Sequence, residues 1–145
     1  MTMKMNQKGI RALGLLLAVL ALATLSVACR QQPVSPWDSA VYTSDAELGV
    51  GEKTLTLELR VEDRTLTFTV HTDQETVGQA LVEQGLIAGE MGTYGLYIKT
   101  VNGMLADYDV DGSYWAFYIN GEYAMTGVDS THISEQDIYA LVREK

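Results

Sequence analysis

Residues 53–70 read KTLTLELRVEDRTLTFTV. Leu55, Leu57, Leu59 and Val61 alternate with Thr54, Thr56, Glu58 and Arg60, and Leu66, Phe68 and Val70 alternate with Thr65, Thr67 and Thr69. Successive side chains of a strand point to opposite faces, so this period of two marks two half-buried strands. Glu62-Asp63-Arg64 joins them into a predicted antiparallel hairpin, apolar on one face and threonine-rich on the other.

The apolar face needs a cover, and the next segment supplies one. Thr72 with Glu75, or Thr76 with Gln79, offers a capping box ahead of Val77, Ala80 and Leu81 at helical spacing, and Gly85 ends the helix. Strand signals return at 96–101, 114–119, 122–124 and 138–144. Asn102-Gly103 and Asn120-Gly121 lie between apolar runs, where a tight hairpin turn needs residues that accept positive φ. The order strand, strand, helix, strands predicts an α+β domain over 52–145, a β-grasp-like mixed sheet with one helix packed on one face.

Outward from this domain, Lys4, Lys8 and Arg11 precede a charge-free run from Ala12 to Ala28 that ends in Ser26-Val27-Ala28-Cys29. Basic start, apolar middle and small residues at the cut make residues 1–28 a secretory signal peptide. Cys29, the single cysteine of the chain, is the expected lipidation site, although Ser26 stands where a lipobox usually has a large aliphatic residue. Ordinary signal cleavage, or retention of the run as an anchor, are the alternatives. Residues 29–51, with Pro33, Pro36, Gly49 and Gly51, read as a tether, and Trp37, Val41 and Tyr42 are the apolar exceptions available to dock as an edge strand. The expected location is a membrane, lipid-anchored and facing outside the cytoplasm.

From Cys29 onward seven basic side chains stand against nineteen acidic ones, a formal charge of −12. Affinity for nucleic acid comes from neutralising phosphates, so this balance excludes such a partner. Catalysis is not expected either: Cys29 is committed to the anchor, and His71 and His132 have no cysteine or HExxH-type partner. The chain reads as a protein that is not an enzyme.

Two stretches carry the remaining chemistry. Asp107, Asp109 and Asp111, followed by Gly112, alternate as in the start of a calcium loop. Tyr118 occupies the place where an EF-hand needs glutamate, which leaves either a non-EF-hand calcium loop or an acidic turn. The second stretch, Tyr114 to Ile119, sets Tyr114, Ala116 and Tyr118 on one side of a strand and Trp115, Phe117 and Ile119 on the other. Either it is a central strand covered on both faces, or one face presents aromatic side chains to a flat ligand or a partner.

The stretches from Glu75 to Leu86 and from Tyr114 to Ala124, with Gly127-Val128-Asp129, resemble the transcobalamin C-terminal-like domain of bacterial surface lipoproteins. That resemblance implies ligand binding without catalysis, with a corrinoid such as cobalamin as the possible ligand. By position it makes Tyr108, Tyr114, Trp115, Phe117 and Tyr118 the ligand-binding candidates. Two departures stand out. Glu135-Gln136-Asp137 replaces a glycine-containing turn, and the helical barrel that completes a transcobalamin site has no counterpart in this sequence. The leading expectation is a tethered small-ligand-binding module. The alternatives are a protein-interaction or adhesion module that engages a surface protein, and a structural domain with a calcium-binding loop.

Overall fold

The hairpin of residues 53–70 forms the frame on which the rest is assembled. In the computed structural model, which describes residues 34–145, β2 (Lys53–Val61) pairs antiparallel with β3 (Arg64–Thr72), Leu57 opposite Phe68. The turn is shorter than expected: Glu62 and Asp63 make it alone, and Arg64 already belongs to β3. The expected signal peptide over 1–28 and its Cys29 lie outside the described residues. Among the described residues, no helix is long and apolar enough to cross a membrane.

Two further strands complete the inner part of the sheet. β9 (Ile138–Glu144) lies parallel to β2 with Leu59 opposite Leu141, and β7 (Tyr114–Ile119) lies antiparallel to β9. The order is β1-β3-β2-β9-β7-β8, with β1 (Ala46–Gly49) and β8 (Glu122–Tyr123) at the two edges. A parallel central pair from the first hairpin and the last strand, with a helix between them in sequence, is the expected β-grasp-like arrangement. Both Asn-Gly turns form as predicted, with φ of 51° at Asn102 and Asn120 and positive φ at the glycine after each.

Helix α1 (Val77–Glu83) uses the second of the two possible caps. Thr76 Oγ1 accepts from the Gln79 amide, and the Gln79 side chain accepts from the Thr76 amide. Val77, Ala80 and Leu81 are fully buried against Leu55, Leu57, Phe68, Val70, Tyr139 and Leu141. Val77 and Leu81 each contribute about 1.5–3 kcal/mol by leaving water, and Ala80 less.

Residues 35–51 differ from expectation. Ser35 to Lys145 form one compact unit, so the chain is folded through most of the predicted tether. Trp37 is buried in a 3₁₀ turn at Pro36–Ser39, Tyr42 packs edge-on to Phe68, and Val41 remains exposed. The docked edge strand is β1 (Ala46–Gly49), parallel to β3. A second antiparallel sheet was also not anticipated in full: β4 (Ile87–Gly92), β5 (Gly95–Val101) and β6 (Met104–Leu105) stand in that order.

Candidate functional site

Strand β7 is where the two sheets meet. The Trp115 indole N–H donates to the Lys99 carbonyl of β5 at 3.2 Å, and Phe117 stacks on Tyr139 of β9 with ring centres 6.1 Å apart. Beside this contact, a cleft of about 380 Å³ opens between β5, β7 and the segment from Tyr123 to Val128. Leu96, Ile98, Trp115, Phe117 and Val128 line it, and Tyr97 and Tyr123 border it. Tyr94 and Met125, each 96 % exposed, stand at its mouth. Scattered exposed apolar side chains are ordinary, but a group of them around one concavity marks a place where apolar matter binds.

Asp129 fixes one wall of the cleft. It sits in the 3₁₀ turn Val128–Ser130, and its Oδ2 accepts from the Leu96 amide at 2.9 Å, holding the start of β5 to the turn. Its Oδ1 is buried without a hydrogen-bond partner.

The structure divides the sequence candidates among three places. Trp115 and Phe117 line the cleft. Tyr114 and Tyr118 lie on the opposite face of the sheet, and both phenols donate to Glu144, at 2.8 and 2.6 Å. These hydrogen bonds push both phenol pKa values above the ordinary tyrosine range, with burial adding to the effect. Tyr108 is exposed at the start of the short helix α2 (Tyr108–Asp111).

The three aspartates belong to α2 rather than to an open loop. Asp107 caps that helix, accepting from the Asp109 amide at 3.1 Å. Asp111 accepts from the Ser113 hydroxyl and amide and pairs with Arg143 at 2.9 Å; these contacts, the Ser113 hydroxyl foremost, lower its pKa to about 2. Among the described residues, no three His, Cys, Asp or Glu side chains converge as metal ligands, so the alternate spacing does not gather these carboxylates around one point.

Tyr97, Met125, Asp129 and Glu144 were not among the sequence candidates. Tyr97 and Tyr94 lie close to the aromatic run in sequence, a signal that points towards the cleft. Glu144 reaches Tyr114 only through a strand register that pairs residues thirty positions apart.

Residues 74–138 match the family model described as Domain of unknown function (DUF4430). A crystal structure of a "putative metal binding protein" from Ruminococcus gnavus ATCC 29149 is 33 % identical, with a TM-score of 0.61 over 65 % of this chain and 98 % of that one. Haptocorrin in complex with Cbi is 18 % identical, with a TM-score of 0.51 over 64 % of this chain and 25 % of haptocorrin, a likeness of fold. The expected resemblance to the transcobalamin type of domain is thus met at the level of fold. No curated protein matches.

Proposed function

The chain belongs to one family with the Ruminococcus gnavus protein and carries a DUF4430 domain, and on that premise we propose that it is a non-catalytic binding module whose cleft takes one edge of a flat, largely apolar ligand. The observation that carries this reading is the group of exposed large side chains, Tyr94, Tyr97 and Met125, around an aromatic floor. Aromatic walls suit flat ligands because they offer a large contact area at little cost in conformational freedom. The cleft lies at the small end of the roughly 300–1,000 Å³ typical of ligand pockets, which fits partial enclosure.

A corrinoid is the first ligand in this proposal. The sequence resemblance points to it, and haptocorrin, whose fold is similar, has been seen with Cbi. The module is held outside the cytoplasm by a lipid on Cys29. Mass spectrometry of the cleaved chain tests the anchor: a diacylglyceryl-modified Cys29 is expected, and an unmodified N-terminus at another residue overturns it.

The ligand is tested by calorimetric titration of the full chain, in maltoside micelles, with cobalamin. Saturable one-to-one binding that Tyr97→Ala and Met125→Ala weaken about ten-fold is the expected result. Absence of binding overturns the corrinoid. Binding that both substitutions leave unchanged overturns the cleft.

A metal is the second reading, favoured by the description of the Ruminococcus gnavus protein and by the unpartnered Oδ1 of Asp129. A rise in unfolding temperature with calcium or zinc that Asp129→Asn abolishes supports it. A rise that survives Asp129→Asn but is lost in Asp107→Asn returns the site to the 107–111 segment.

A further inference from the structure

The sheet face opposite the cleft carries one carboxylate held in an unusual way. Tyr114 and Glu144 are directly paired across β7 and β9, so their side chains share a face, and Tyr118 lies two residues beyond Ala116 on that same face. Both phenols reach Glu144, one to each carboxylate oxygen. Ala116, between the two tyrosines, is 1 % exposed. Tyr123 packs edge-on against Tyr118 with ring centres 5.5 Å apart, which fixes the second phenol from its far side.

Hydrogen-bond accounting sets what such a site can bind. A phenol has one proton, and here both protons are spent on Glu144. What remains towards solvent is lone pairs: two on the phenol oxygens and the unused ones of the carboxylate. The site accepts and does not donate. Among the described residues it also lacks a cation. Of the six basic side chains among the described residues, Lys53, Arg60, Arg143 and Lys145 pair with other carboxylates, Arg64 lies over the Trp37 ring and Lys99 beside Tyr97. Arg143 and Lys145 flank Glu144 in sequence, but alternation along β9 directs them to Asp111 instead.

We infer that Glu144, Tyr114 and Tyr118 form a binding site for the primary ammonium group of a small aliphatic amine. An ammonium carries three donors and no acceptor, the complement of three acceptors with no donor. Its charge meets a carboxylate that has no cationic partner among the described residues, on a domain of strongly negative net charge, so attraction also acts at a distance. Because the tyrosines already hold the carboxylate, little freedom is lost when the amine arrives. The site is separate from the cleft and stands whether or not the cleft takes a corrinoid.

The test is titration of the full chain in maltoside micelles with 1,5-diaminopentane, followed by calorimetry and by the near-ultraviolet signal of the tyrosines. Saturable binding that shifts the tyrosine signal is expected. The bis-trimethylammonium analogue of the diamine, with the same two charges and no N–H, should bind at least about ten-fold more weakly, as should the diamine to Glu144→Gln and to Tyr118→Phe. Glu90→Gln removes one exposed charge on the second sheet and should leave affinity unchanged. Equal affinity for both cations, or equal losses in Glu90→Gln and Glu144→Gln, would mean diffuse charge attraction and overturns the site. Tighter binding of a lysine-containing peptide than of the diamine overturns the small-molecule assignment. Unfolding temperatures of both site variants separate lost binding from lost structure, with Tyr118→Phe deciding if Glu144→Gln fails to fold.

Discussion

Asn102 and Tyr42 exchange two hydrogen bonds: the Tyr42 amide donates to Asn102 Oδ1 and Asn102 Nδ2 donates to the Tyr42 carbonyl, each at 2.8 Å. The Asn102 main chain is equally occupied, donating to Leu86 and accepting from Val41. One 1 % exposed side chain thereby substitutes for a length of strand and fastens the segment before β1 to the second sheet. Asn102→Ala strands two backbone groups and places at φ 51° a residue that tolerates the left-handed region less well than asparagine, so a loss of about 2–3 kcal/mol is expected in urea unfolding. Asn102→Gly relieves the backbone but not the lost bonds and should recover only part. Faster amide exchange at Tyr42 in both variants would locate the damage.

Gly78 in α1 is a second point where one atom decides. A Cβ there would stand 2.9 Å from the amide nitrogen of Asp129 and 3.0 Å from its Cα. In an open helix Gly→Ala stabilises by about 1 kcal/mol, but here the turn carrying Asp129 must move. Gly78→Ala is expected to lower the unfolding temperature and to speed amide exchange at Leu96, whose N–H rests on Asp129. An increase in stability would show that the turn yields freely.

Acid should reveal the Asp111 contacts. Its folded pKa of about 2 lies below the ordinary value of 3.8, so its contribution is complete above that value and is lost as pH falls from there through 2. Asp111→Asn should therefore flatten the pH dependence of stability in that window and leave its shape near neutrality unchanged. Chemical unfolding at a series of pH values measures this directly.

The cleft makes a contrast between floor and rim. Trp115 is buried and bonded to Lys99, so Trp115→Ala should cost about 3–5 kcal/mol. Tyr97 and Met125 are exposed, and their alanine variants should stay within about 0.5 kcal/mol of the parent. Any loss of ligand binding in the latter two then reports contact with ligand rather than damage to the fold.

What could be read in advance was what local physics determines. The alternation of 53–70, the Thr76 to Gln79 cap and the two Asn-Gly turns each depend on a few adjacent residues, and all appear as read. β1 is four residues long and parallel to its neighbour, too short to show a period and stabilised only by residues more than twenty positions away. β4 was hidden by Gly89, which sits at a bulge where a Cβ would meet the Tyr97 carbonyl at 2.0 Å, and the bulge breaks the alternation that would reveal a strand. The two faces of β7 were legible from its period of two. Glu144 on one face and the cleft on the other were not, because both are created by register between distant segments.

The place of β9 between β2 and β7 also orders events in time. Until residues 138–144 have emerged, the first hairpin has no neighbour on its inner edge and β7 has nothing to join, so the sheet exists only as separate halves. Contacts this distant in sequence form late and together. The inner sheet is therefore expected to close late, only when its last strand is present to join the two halves.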